Sequence, residues 1–485
     1  MTIRLLGSDL HIHNIQTRMP FKYGIATLTV VPHLFARVHV EVDGTTATGI
    51  AADSLPPKWF TKDPTTSMQH DIVEMIDVIQ AACRHAETIG TAGSPFAFWQ
   101  QLYAQQKVWA EARTALPAYP PLLWNFGVTL VERALIDGFC RAKGMTFHQA
   151  LHTNVLGMEL ASIHPTLIGT TPADFLPPAP RPTLIARHTI GLLDPLTDDE
   201  IEDTERVDDG LPQSFAACIR HYGLTHFKIK VGGNVAEDLA RLARIIAVID
   251  ANVSGAYAFT LDGNEQYKSI GEFRAFWEAL CTTFPRFVER LIFVEQPLHR
   301  DIALSDAVGT ALAAWPDRPP MIIDESDGSL ESLPTALALG YQGTSHKNCK
   351  GIFKGIANAC LITHLQRHPP ERQFLLSGED LTNIGPVALL QDLAVLATLG
   401  VDHAERNGHH YYAGLSIFPE RVQQQVLMHH PALYRRQDDL IAVAIDRGKL
   451  ALGSVVNAPF GVDFELDVAQ FVPLEEWSFG SLGVD

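Results

Sequence analysis

The stretch Thr225-His226-Phe227-Lys228-Ile229-Lys230-Val231-Gly232-Gly233 sets two lysines two positions apart inside an apolar run. On a β-strand, successive side chains point to opposite faces, so both ammonium groups project to one side. Two buried like charges on one strand face are costly unless counter-charges or chemistry hold them there. The rest of the chain has to supply the reason.

The same rhythm recurs downstream. Short β-rich runs stand at LIARHTIG (184–191), HFKIKVG (226–232), YAFTLDGN (257–264), RLIFVEQP (290–297), PMIIDES (320–326), GTSHKNCKG (343–351) and RQFLLSGED (372–380), with a weaker candidate at GVDHAER (400–406). Helical patterns lie between several of them. One starts at Asn234, a capping residue with Glu237 three positions on, and its apolar stripe is Leu239, Leu242, Ile245, Ile246 and Ile249. Eight strands alternating with helices over roughly 250 residues predict an α/β fold, a (β/α) barrel.

Before the barrel, residues 3–52 alternate apolar and polar positions in three runs with the turn VDGTT between the last two, which predicts an antiparallel meander. Two loops rich in aromatics and proline follow its first and last strands, Met19–Gly24 and Leu55–Phe60. Helices are expected at DIVEMIDVIQAAC, with Ile72, Val73, Met75, Ile76 and Ile79 at helical spacing, at FAFWQQLYAQQKVWAEA, and at LLWNFGVTLVERALIDGFCRAKG, closed by Gly144. The chain then divides into an α+β domain over 1–160, a Pro-rich connector over 161–182, the barrel over 183–420 and a C-terminal segment over 421–485. In that last segment DLIAVAIDRG and GVDFELDV read as strands that dock back on the N-terminal domain.

Each barrel run ends on a polar residue: Lys228 and Lys230, then Asp262, Glu295, Asp324 and Lys347, at steps of 32, 33, 29 and 23 residues from Lys230 onward. The C-terminal ends of barrel strands open onto one mouth, so these side chains should converge. Asp262 in TLDGN could alone be a turn former, but Glu295 follows four apolar residues. Three converging carboxylates repel one another unless a cation lies between them, and an all-oxygen set suits a hard ion such as Mg²⁺, with Mn²⁺ as a substitute. Either Asp324 or Glu325 could be the third ligand; Asp324 is favoured, with Glu325 supporting it. Such an ion would hold a substrate carboxylate and stabilise the enolate formed when the α-proton leaves. A lysine beside that ion and a second lysine is expected to have a lowered pKa, which makes it a base at neutral pH. Lys350 and Lys354 are read as solvated.

Composition limits the partners. With 37 basic against 55 acidic residues the formal charge is −18, which disfavours nucleic acid and anionic membranes and leaves a small carboxylate substrate. Six cysteines (Cys83, Cys140, Cys218, Cys281, Cys349, Cys360) without a close Cys-x-x-Cys pair read as reduced core thiols. The sequence carries no signal-length apolar segment near Met1 and no run of membrane-span length, so a soluble cytoplasmic protein is expected.

Taken together, KIK, LDGN, VEQP, IIDES and Lys347 resemble the enolase superfamily, specifically its muconate lactonizing enzyme subgroup within the mandelate racemase/muconate lactonizing enzyme group. Glu132, Asp137 and Gly144 in VERALIDGFCRAKG resemble that family's last capping-domain helix, and APFG near Pro459 its C-terminal return. The resemblance implies a modified TIM barrel under an α+β capping domain built from the N-terminal part and the C-terminal tail, in a symmetric homo-oligomer. It implies Asp262, Glu295 and Asp324 as Mg²⁺ ligands, with Asn264 supporting the metal shell. Lys230 and Lys347 would be acid/base groups on opposite substrate faces, and Lys228 would stabilise the enolate or keep the Lys230 pKa low. The two aromatic loops would be specificity lids, with Phe21, Tyr23, Lys58 and Trp59 on the substrate. Racemases, epimerases and cycloisomerases of this subgroup, and lyases of the o-succinylbenzoate synthase type, share that first proton abstraction. No Asp-x-Asp stands at the eighth strand, where GVDHAERNGHHYY is found, and Glu379 and Asp380 after the seventh could meet a cationic or hydroxylated substrate. A Schiff-base aldolase using one lysine as nucleophile and a non-catalytic scaffold are the competing readings.

Overall fold

The computed structural model describes residues 1–113, 119–367 and 373–484. Residues 114–118 of the N-terminal domain, Arg372 of the seventh predicted run and Asp485 lie outside the described residues. Each of the eight β-rich runs forms a strand. In order they are Thr183–Ile190, His226–Lys230, Ala258–Asp262, Leu291–Glu295, Met321–Ile323, Gly343–His346, Leu375–Gly378 and His403–Arg406. Neighbours pair in parallel, and the eighth returns to the first with Ala404 opposite Ala186 and Arg406 opposite His188, so the sheet is a closed barrel. The chain is therefore an α/β barrel with an added cap.

The cap sheet is antiparallel: Ile3–Tyr23 pairs with Ala26–Val42, which pairs with Thr45–Ser54. Three helices lie beside it, Met68–Ile89, Pro95–Glu111 and Pro121–Lys143. Ser67 caps the first by accepting from His70 N, and Gly144 ends the third in the left-handed region at φ 60°, the conformation a C-terminal glycine takes most cheaply. The C-terminal segment touches both units. Lys449–Ala451 runs antiparallel to the first barrel strand, Val472–Pro473 joins the edge of the cap sheet, and Arg141 Nη2 donates to Val462 O at 2.8 Å.

Four local expectations need correction. Phe21, Lys22 and Tyr23 are no loop: they form the outer end of a strand, opposite Leu28, Thr27 and Ala26, beyond a register shift that absorbs Pro20. Val73 is 53% exposed, and Val78, one turn further round, is the residue that packs inward. The run GVDFELDV alternates as a strand does, yet has no strand partner and instead lies against the helix Pro121–Lys143. Lys350 and Lys354 are both 2% exposed and ion-paired, to Asp324 and Asp327. Over 161–182 the chain makes only short 3₁₀ turns, as its prolines demand. Among the described residues no helix is long and apolar enough to cross a membrane.

Candidate active site at the barrel mouth

Alternation along the second strand sends Phe227 and Ile229 outward and Lys228 and Lys230 into the barrel. Lys228 Nζ sits among four carboxylates: Glu295 Oε2 at 2.7 Å, Glu379 Oε2 at 2.8 Å, Glu405 Oε2 at 3.0 Å and Asp262 Oδ2 at 3.1 Å. Lys230 Nζ donates to Asp262 Oδ2 at 2.8 Å. Across the mouth Lys347 Nζ lies 2.7 Å from Asp324 Oδ2, and Lys350 Nζ takes Asp324 Oδ1 at 3.1 Å. All four ammonium groups are buried, and each is matched by at least one carboxylate.

The loops that carry these acids are tightly built. Gly263 follows Asp262 where a Cβ would stand 2.5 Å from Pro297 Cα, so only glycine lets the third and fourth strand ends lie together. Asn264 and Glu265 have φ of +43° and +66°, left-handed conformations that cost non-glycine residues about 1–2 kcal/mol each. Asn264 N donates to Asp262 Oδ1 at 2.8 Å, and its Nδ2 to Glu325 Oε1 at 3.0 Å. Glu325 therefore stands behind Asn264.

The surrounding acids act on the lysines of the mouth in the direction opposite to the expected one. Burial works against the Lys228 ammonium, but Asp262, Glu295, Glu379 and Glu405 outweigh it and hold its pKa well above the ordinary lysine value. Burial likewise opposes charge at Lys230 and Lys347, and Asp262 and Asp324 respectively raise both. All three shifts run upward because acids from the seventh and eighth strands join those of the third, fourth and fifth. Burial pushes Glu295 well above the carboxylate range, with Glu379 adding to it, whereas Lys347 and Lys350 overcome burial and hold Asp324 well below it.

The donor set fits a hard divalent cation. Glu295 Oε1, Asn264 Oδ1 and Glu325 Oε2 are buried oxygens without a hydrogen-bond partner among the described residues, and orphaned acceptors of this kind call for a cation. Lys228 lies amid the acids, and Asp262, Glu295 and Asp324 would have to draw closer to share one ion. Among the described residues only His188, Cys218 and His410 bring three potential ligand atoms within 4.8 Å of one another.

Above these groups is a cavity. Its floor includes Lys228, Lys230, Asp262, Asp324, Lys347 and Glu405, and its walls are Phe21, Tyr23, Leu28, Trp59, Leu381 and Tyr412. Trp59 lies over Lys347, 4.8 Å from Nζ to ring centroid. Two expected substrate contacts are elsewhere. Lys58 turns its ammonium to Asp71, at 2.9 Å, and to Thr66, bracing its loop internally. Glu379 is fully buried between Arg187, Ser377 and Lys228, where it holds charges and leaves the cavity to others. Asp380 does reach the cavity, but accepts from Asn383 N and Asn407 N, and burial pushes it up to about 7.

Glu405 is the site residue that sequence reading passed over. It binds Lys228, Thr189 Oγ1 and Asp380 N. The rule that found the other acids, a polar residue closing a strand, points to it too, but a run as polar as GVDHAER blurs which residue closes it.

No protein-family model matches the sequence, and no curated protein matches it. Solved structures do. A mandelate racemase/muconate lactonizing protein from Herpetosiphon aurantiacus superposes with a TM-score of 0.58 at 17% identity, covering 96% of this chain and 99% of that one. An N-succinyl Arg/Lys racemase from Bacillus cereus gives 0.59 at 14% identity, with 97% and 98% covered. A dipeptide epimerase from Enterococcus faecalis, complexed with Mg and a Leu-Tyr dipeptide, gives 0.57 at 14% identity, with 94% and 99% covered. Likeness at such low identity establishes architecture, and by its architecture this chain has the enolase-superfamily fold of the mandelate racemase/muconate lactonizing proteins.

Proposed function

We propose that the chain is an enolase-superfamily enzyme that removes the proton α to the carboxylate of a small substrate, with Lys230 and Lys347 as acid/base groups on opposite faces. The observation that carries this reading is the pair of ammonium groups on two sides of one cavity, one on Asp262 and one on Asp324, with unpaired buried oxygens between them. Asp262, Glu295 and Asp324 would hold Mg²⁺, with Mn²⁺ as a substitute, and Asn264 and Glu325 would brace them. The ion would supply positive charge against the substrate carboxylate as its α-proton leaves.

The chain's own residues do the rest. Lys230 Nζ takes or returns a proton on one face and Lys347 Nζ on the other, so the two exchange roles with the direction of reaction. Lys228, held by four carboxylates, stays charged and contributes its field to the developing enolate. Phe21, Tyr23, Trp59 and Tyr412 exclude water and fit an apolar or aromatic substrate body. Asp380 is already engaged with backbone donors, which argues against the cationic substrate that the acidic loop suggested. Racemisation or epimerisation follows from two-sided proton transfer, and cycloisomerisation or elimination from one-sided transfer. The Schiff-base reading has less support, since Lys228, Lys230, Lys347 and Lys350 all contact carboxylates.

The test is exchange in D₂O. Full-length protein with Mg²⁺ and a panel of N-acyl amino acids and aryl carboxylates should return α-deuterated substrate, and EDTA should abolish the exchange. Exchange that persists in EDTA, or none across the panel with the metal site demonstrably filled, defeats the proposal.

A further inference from the structure

Alternation on the first barrel strand puts Arg187 and Thr189 inside the barrel and His188 outside, against the helix Phe215–Tyr222. There it meets Cys218 from that helix and His410 from the turn Gly408–Tyr411 after the eighth strand. One ligand atom from each lies within 4.8 Å of the others, and all three residues are at most 2% exposed. Cys218 Sγ is 3.5 Å from His410 Nδ1, and its only other polar contact among the described residues is a 4.0 Å approach to Pro212 O. His188 Nδ1 is 3.1 Å from His409 Nε2, while His409 Nδ1 is buried without a hydrogen-bond partner. Four polar side chains thus share a buried site in which the Cys218 thiol makes only long contacts, so that sulfur and the two imidazoles beside it can share an ion.

We propose that His188, Cys218 and His410 form a zinc site, separate from the barrel mouth. Two imidazoles and a thiolate match the donors zinc prefers and are wrong for magnesium. His409, bonded to His188, acts as the outer partner that fixes its tautomer. On binding, the Cys218 S–H bond breaks, its proton goes to solvent, and the sulfur lone pair bonds to Zn²⁺. Arg18 is close, donating to His410 O at 3.1 Å, but Asp209 pairs it through two 2.6 Å contacts and offsets its charge. The site lies at the seam where first and eighth strands close the barrel, so the ion would bind together segments about 200 residues apart. That separation explains why no motif in the sequence announces it.

Cobalt substitution tests this. Full-length protein, stripped with chelator and titrated with Co²⁺ in excess Mg²⁺, should show a thiolate-to-cobalt absorption in the near-ultraviolet that saturates at about one equivalent and is displaced by Zn²⁺. Cys218→Ala should abolish the band, Cys281→Ala should leave it, and His410→Gln should weaken Co²⁺ binding at least about tenfold. Absence of the band in the unaltered chain, or its survival in Cys218→Ala, overturns the proposal. If Cys218→Ala does not fold, the unaltered chain and the Cys281→Ala control still decide.

Discussion

Along the first barrel strand, Arg187 and Thr189 face inward to Glu379 and Glu405, while His188 between them faces outward to other aromatic rings. The sixth strand repeats the contrast: Lys347, just past its end, is inside on Asp324, and His346 lies outside, its ring under Gly355 of the following helix. Inside, the lysines are buried in contact with carboxylates; outside, burial moves the histidines toward the neutral form. A barrel strand thus supplies two electrostatic environments from adjacent residues, and only the inner one retains charge for chemistry.

The largest effect should come from breaking the inner pairing at the two lysines. Lys230→Ala and Lys347→Ala should each lower turnover about 10²- to 10⁴-fold, the usual worth of a positioned acid/base group. Steady-state kinetics on any substrate that exchanges deuterium checks this. The two variants should differ in kind, each losing exchange from one stereoisomer and retaining part of it from the other. Loss of exchange confined to one of the two variants would mean one base, and an eliminating or cycloisomerising enzyme.

Next come the carboxylates, which divide the mouth unequally. Lys228 has four acids, whereas Lys347 and Lys350 share Asp324, and Lys350 has otherwise only Asp327 at 3.7 Å. Removing one partner of a buried pair costs about 3–5 kcal/mol when the remaining charge is stranded. Asp324→Asn should cost about that much in denaturant unfolding of chelated protein. Glu405→Gln, which leaves Lys228 three acids, should cost about 1–2 kcal/mol.

That inequality marks where sequence reading reached its limit. All eight strands were legible as short β-rich runs with helical patterns between several of them, and the polar residues that close the apolar runs brought Lys228, Lys230, Asp262, Glu295, Asp324 and Lys347 to one mouth. The direction of the lysine pKa shifts was not legible, because it depends on Glu379 and Glu405, whose runs are short and polar and whose reach to Lys228 exists only once the barrel closes. Periodicity also misled where tertiary pairing decides: GVDFELDV alternates without a strand partner, and Phe21–Tyr23 pairs despite Pro20.

The outer environment has its own signature. Burial lowers His346 to about 4 from 6.5, so the unfolded chain takes up a proton that the folded one refuses. The stability this histidine contributes is whole above pH 6.5 and falls on acidification towards pH 4, by about 1.4 kcal/mol per unit. The stability difference between the unaltered chain and His346→Gln should therefore shrink by about 2 kcal/mol from pH 6.5 to 5. Glu132 runs the other way: burial raises it to about 7, and its contribution is lost as pH rises from 4.5 to 7. Unfolding curves across pH read both, and a His346→Gln difference independent of pH would mean that the outer face is not kept neutral.

The smallest effect tests whether the cap belongs to the inner environment. Trp59 covers Lys347, and its loop is tied to the barrel by Lys62 Nζ on Glu265 Oε2 at 2.7 Å and by Arg300 on Glu265, Trp59 O and Phe60 O. A cation over an indole face is worth about 0.5–2 kcal/mol, the upper end where water is excluded. Trp59→Leu keeps the apolar wall and removes the quadrupole, so KM should rise about 3- to 30-fold, with a smaller change in kcat. Glu265→Gln unties the same loop while Trp59 keeps its ring, and should give the same KM shift if position matters more than the ring itself. A change in KM for Trp59→Leu alone would assign the effect to the cation–π contact, and a change in kcat alone would move Trp59 from substrate enclosure to control of the Lys347 proton.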